Sequence, residues 1–102
     1  MSNKPNFIEN NLGAISGQVT VAVVGTAVQG PSVATEGEGF IVEALPANTG
    51  YIYVGNDGAG DVTSANGFPL DAGTSILLRV RNLNEVYFDA SVAGEKAAWL
   101  KV

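Results

Sequence analysis

The side chains that most often serve as nucleophile, proton shuttle or transition-metal ligand near neutral pH are both missing from this chain: it has no His and no Cys. Chemistry would have to come from its ten carboxylates, its hydroxyls and its aromatic rings. Gly13-Ala14-Ile15-Ser16-Gly17 looks superficially like a nucleophile elbow. Its spacing is wrong for one, and a serine needs a base beside its hydroxyl. A glycosidase uses two facing carboxylates. Asp57, Asp61 and Asp71 fall in loop-like stretches, where carboxylates are ordinarily solvated, so no pair stands out. The run Gly55-Asn56-Asp57-Gly58-Ala59-Gly60-Asp61 offers oxygen ligands on a flexible backbone and resembles one unit of the calcium-binding nonapeptide repeat. A single unit lacks the stacked neighbours that such a repeat needs, and the run reads as a strand connection. The catalytic reading, the metal reading and any cofactor are therefore set aside, and the expectation is a protein that is not an enzyme.

What remains is binding. Phe40, Tyr51, Tyr53, Phe68, Tyr87, Phe88 and Trp99 could form a sugar-stacking platform if exposed, or core and subunit contacts if covered. Their placement depends on the strands that carry them. From Gly17 onward the pattern has a period of two, with Val19, Val21 and Val23 on one face. Extended runs follow at Thr26–Gln29, Gly39–Leu45, Tyr51–Val54, Ser75–Val80, Glu85–Ala90 and Ala97–Val102, with Asp61–Thr63 a short strand at most. Between them stand turn residues: Gly30-Pro31, Pro46 with Asn48-Thr49-Gly50, Asp71-Ala72-Gly73 and Ala93-Gly94. Asn66-Gly67 is the dipeptide that accepts positive φ at both centres of a hairpin turn. Tyr51 and Tyr53 share a face, whereas Tyr87 and Phe88 point oppositely, and Trp99 is expected to close the core.

No window carries an apolar stripe of helical period, and thirteen glycines weigh against helix. The expected fold is all-β, a single small β-sandwich or jelly-roll-like domain of seven to eight short antiparallel strands over residues 17–102. Residues 1–16 read as an extended N-terminal arm, interrupted by Pro5 and by Asn residues. Phe7, Ile8, Leu12 and Ile15 are its apolar residues, without a local core; such an arm is either a frayed tail or a strap that docks on a partner, and a purely solvated tail has no need of Phe7-Ile8.

The totals narrow the partners. The chain has 102 residues and only 15% are charged, against roughly 25% in an average domain, which suits a surface spent partly on subunit contacts. The formal charge is −5, and only Arg79 and Arg81 lie close together, which argues against nucleic acid and anionic membrane. No segment approaches the ~20 apolar residues of a membrane span. The stretch Met1–Asn6 has neither region of a signal peptide, so production and use without secretion are expected.

Val54-Gly55-Asn56, Val62-Thr63, Asn66 to Gly73, Leu77-Leu78, Asn82, Val86 to Ala90, Gly94 and Trp99-Leu100 run in a familiar order. Over about residues 50–102 the chain resembles the small β-sandwich virion proteins of tailed bacteriophages, which serve as capsid decoration or cement proteins or as head-fibre and tail-associated modules. The shared positions are turn and core residues, so they speak to fold more than to task. The resemblance implies a non-enzymatic structural protein, made in the host cytoplasm and resident in the virion, on the capsid surface or tail. Its implied partners are copies of itself, as a homotrimer, and the major capsid protein or another virion protein. It also gives Phe7, Ile8, Leu12 and Ile15 the role of gripping the shell or a neighbour. The alternative is a tail or fibre module that binds host surface glycans through exposed tyrosines and loop carboxylates.

Overall fold

A computed structural model of the protein describes residues 15–102. Eight strands run through it: β1 (Ser16–Val21), β2 (Val28–Gln29), β3 (Phe40–Ala44), β4 (Ile52–Gly55), β5 (Phe68–Leu70), β6 (Ser75–Leu78), β7 (Tyr87–Ala90) and β8 (Glu95–Lys101). Among the described residues one 3-10 turn, Leu83–Glu85, precedes β7, with the Asn82 side chain accepting from the Asn84 N–H at 3.0 Å. All pairings between strands are antiparallel.

The strands form two four-stranded sheets, β1-β8-β3-β6 and β2-β7-β4-β5. Each strand pairs with its mirror image in the sequence: first with eighth, second with seventh, third with sixth, fourth with fifth. This is one long hairpin wound over on itself, the eight-stranded jelly roll. The sandwich expected from the sequence is therefore present, with the chain entering β1 at Ser16, one residue ahead of the boundary read from the pattern.

Alternation of side chains explains the core. Val19 and Val21, Phe40, Val42 and Ala44, and Ala97 and Trp99 project from the first sheet. Ile52, Val54, Leu70, Phe88 and Ala90 meet them from the second, and Leu83 and Val86 fill one end. Phe40 is fully buried and packs edge-on against Trp99, with centroids 6.2 Å apart and planes at 76°. Trp99 thus closes the core as expected. Its ring lies on Gly17, the residue opposite it in the β1·β8 register. A Cβ on Gly17 would stand 2.7 Å from Trp99 Cζ2 and 3.0 Å from Nε1.

Two local expectations change. Phe68–Leu70, hidden between two turn signals, is the edge strand β5, and it tolerates Pro69 because an edge leaves one row of backbone groups unpaired. Asn66-Gly67 is not a hairpin turn of positive φ, since Gly67 lies outside the left-handed region. Asn66 and Gly67 both donate to the Thr63 carbonyl, at 3.2 and 2.8 Å. Glycine is required at 67 by crowding: a Cβ would meet Tyr53 Cβ at 2.7 Å and Val62 Cγ2 at 2.8 Å. Asp61–Thr63 is no strand, but Val62 is buried and pins the loop that contains it.

Candidate functional site

The carboxylates singled out from the sequence are mostly engaged by their own backbone. Asp57 Oδ1 accepts from the Ala59 N–H at 2.7 Å and Asp61 Oδ1 from the Val62 N–H at 2.8 Å. Asn56 Oδ1 accepts from Gly58 and Gly60, and Asn56 Nδ2 donates to the Glu85 carbonyl. These are Asx turns that stiffen the 55–61 loop without gathering ligands. Among the described residues no three acidic side chains converge on a point where a metal could sit. Glu95 behaves similarly. The Thr49 N–H donated to its carboxylate holds its pKa below the ordinary value; partial burial opposes this, and the Gly50 N–H and Thr49 hydroxyl reinforce it. Asp89 is buried, its Oδ1 accepting from the Gly25 N–H at 3.0 Å and from the Ala90 N–H at 2.8 Å, which ties the β1–β2 connection to β7.

An open recess lies among Gly37, Glu38, Arg79, Val80 and Arg81. An exposed ion pair, Arg79 to Glu38 at 2.9 Å, occupies its rim. Such a pair adds little to stability and does not organise a reaction.

The surfaces that stand out are the outer faces and edges of the sandwich. On the first sheet the register aligns Ser16, Leu100, Ile41 and Leu77 in one row across all four strands. Ile41 and Leu77 are exposed and Leu100 half-buried, so the row is an apolar band on the outside of the domain. The next row, Gln18, Ala98, Glu43 and Ser75, is polar at both edges. Sequence reading missed this band, because the three residues are far apart in the chain. Only the strand order places them side by side on the outer face.

The arm meets the domain at this band. Ile15, 40% exposed and one position before Ser16, accepts at its carbonyl from the Lys101 N–H at 2.9 Å. Phe7, Ile8 and Leu12 lie outside the described residues.

The outer face of the second sheet carries the tyrosines. Tyr51 and Tyr53 lie side by side with ring centroids 6.2 Å apart and planes tilted by 37°. Tyr51 is exposed, and Tyr53 and Tyr87 are half-buried. Phe88, next to Tyr87, faces inward and is fully buried, which is the opposition expected from strand alternation.

The four edges of the sandwich differ. In the second sheet β2 has two residues, and β5 has three with a proline at its centre. Both are poor templates for another strand. In the first sheet β6 has four residues and runs into Arg79, whereas β1 has six, Ser-Gly-Gln-Val-Thr-Val, without charge or proline. Beside β1 lies an unmet donor: Trp99 Nε1 is buried without an acceptor among the described residues.

No protein-family model, curated protein or solved structure matches the chain.

Proposed function

We propose that the protein is a non-enzymatic structural component of a bacteriophage virion that decorates or cements the capsid through contacts at subunit junctions. Its partners are other copies of itself and the major capsid protein or another virion protein. The observation that carries the reading is the apolar band Leu100–Ile41–Leu77 on the outside of the jelly roll, which begins at the residue where the arm enters. Burying such side chains stabilises a contact by ~25 cal/mol per Å² before the costs of association are met. Many copies on one particle add avidity, so each contact is free to be weak. In this reading Phe7, Ile8, Leu12 and Ile15 of the arm grip the shell or a neighbour.

The test is co-sedimentation with empty shells of the phage. The full chain should pellet with shells, and a chain lacking residues 1–14 should stay folded and remain in the supernatant. The deletion stops at 14 because Ile15 already bonds to β8. Pelleting of the truncated chain removes the arm from the proposal, and failure of both chains to pellet removes the shell.

The paired tyrosines favour a second reading, a tail or fibre module that stacks host glycans on Tyr51 and Tyr53. It predicts calorimetric binding of host surface polysaccharide by the free protein, lost in Tyr51→Ala. No heat of binding with any host polysaccharide dismisses it.

A further inference from the structure

We propose that β1 is a pairing edge, and that its occupant is β1 of a second copy, joined antiparallel about a twofold axis at Gln18.

The phase of the ladder shows what β1 offers. The Ile15 carbonyl points to β8, where it accepts from Lys101. Backbone groups alternate sides along a strand, so residues 15, 17, 19 and 21 face β8. Ser16, Gln18 and Thr20 therefore turn their N–H and C=O groups away from the sheet. No described residue outside the ladder bonds to these groups. Their side chains are exposed, polar and uncharged.

Three amides at alternate positions define the complement: an extended backbone with the same spacing. An antiparallel copy of β1 supplies it, and one register uses all of it. With Gln18 opposite Gln18 of the second copy, Ser16 lies opposite Thr20 and Thr20 opposite Ser16, giving six hydrogen bonds. Sliding by two residues leaves at most four. In this register no like charges face each other, which matters for a chain of net charge −5. The exposed Ile15 of one copy lies opposite the buried Val21 of the other, with the exposed Val23 and Val24 just beyond.

The other edges explain why β1 is the choice. β2 is too short, and Pro69 blocks β5. In the β3·β6 ladder Ala44 bonds with Thr74 and Gly73, which leaves only Ser75 and Leu77 of β6 facing outward. Pairing β1 to β6 of another copy would be head-to-tail, building a ring or a filament, whereas β1 with β1 is isologous and closes at two. The product is one continuous eight-stranded sheet carrying two copies of the apolar band on the same side.

The experiment is sedimentation equilibrium on the full chain, with circular dichroism to verify folding. The native protein should weigh twice its 10.5 kDa monomer. Gln18→Pro removes an N–H that faces away from β8, so the domain should fold while two dimer bonds are lost; the dissociation constant should rise about tenfold or more. Gln18→Lys and Gln18→Glu should each weaken the dimer at low salt by placing like charges opposite each other, and an equimolar mixture of the two should restore it. That rescue requires position 18 to face itself, and it holds the proposal to account even if the proline variant does not fold. A monomeric native protein, an oligomer indifferent to Gln18→Pro, or a Lys/Glu mixture no tighter than its parts would each overturn the inference. A trimer that survives all three variants would do so too, in favour of a threefold contact elsewhere. Shell binding is read separately, so loss of the virion reading leaves this result standing.

Discussion

Gly17→Ala adds one methyl group at the tightest point of the first sheet. The new Cβ would stand 2.7, 2.9 and 3.0 Å from Trp99 Cζ2, Cε2 and Nε1, where ordinary contact begins at 3.4 Å. Something must therefore move by several tenths of an ångström. The indole is poorly placed to yield, because its other flank meets the fully buried Phe40 ring edge-on. Moving β1 instead strains its ladder with β8. Overpacking of this kind costs about 1–3 kcal/mol. Replacing glycine by alanine returns about 0.4–1 kcal/mol through the unfolded chain, since Gly17 is not held at positive φ. The net loss is about 1–2 kcal/mol, and the melting temperature should fall by about 5–15 °C in a thermal melt followed by circular dichroism. Trp99→Phe should make room for the methyl group and delete the buried N–H that no described residue accepts. The double variant should then lose clearly less than the sum of the singles, because neighbours in contact do not add. A Gly17→Ala protein that melts at or above the native temperature, or a strictly additive pair, would refute the packing argument.

Gly67 offers a direct contest between two explanations. A hairpin turn of positive φ would accept Asn at 67 with little change, whereas the crowding by Tyr53, Val62 and Thr63 predicts that Gly67→Asn loses about 1–3 kcal/mol in urea unfolding. Asp89→Ala leaves the Gly25 N–H without its acceptor; a loss of about 1–3 kcal/mol and faster amide exchange at residue 25 are expected. Glu95 has a folded pKa below its ordinary value, so its contribution to stability is present above the ordinary carboxylate range and lost as pH falls through the folded pKa. Native protein and Glu95→Gln should accordingly differ at neutral pH and converge in acid, and parallel acid titrations that never converge would contradict the assignment.

The legible parts of the fold were those where one face is buried and the other wet. Val19 and Val21, or Tyr53 beside Ile52 and Val54, announce strands because a half-buried strand must alternate. The strand β5 did not announce itself, since three residues around a proline carry no period and only an edge makes them acceptable. Gly67 misled for a related reason. Glycine is selected for backbone freedom in turns and for lack of volume in crowded places, and the dipeptide Asn-Gly does not distinguish the two. Trp99 was readable as a core residue from its type, but its need for a bare neighbour at position 17 depends on a pairing across 82 residues. The outer band and the open edge of β1 were illegible on the same ground: both are properties of strand order, which no local pattern encodes.

The pairing of Ile15 with Lys101 puts both ends of the described chain at the same end of one ladder. Tension applied between Ile15 and Val102 would load the β1·β8 bonds one at a time and peel them like a zipper. Tension between Ile15 and Gly94, at the far end of the same ladder, would load them together. Single-molecule stretching should find the first geometry giving way at much lower force, and equal rupture forces would contradict the ladder. A molecule gripped at Ile15 and Val102 would thus release gradually under strain, whereas one gripped at opposite ends of β1 and β8 would hold and then snap.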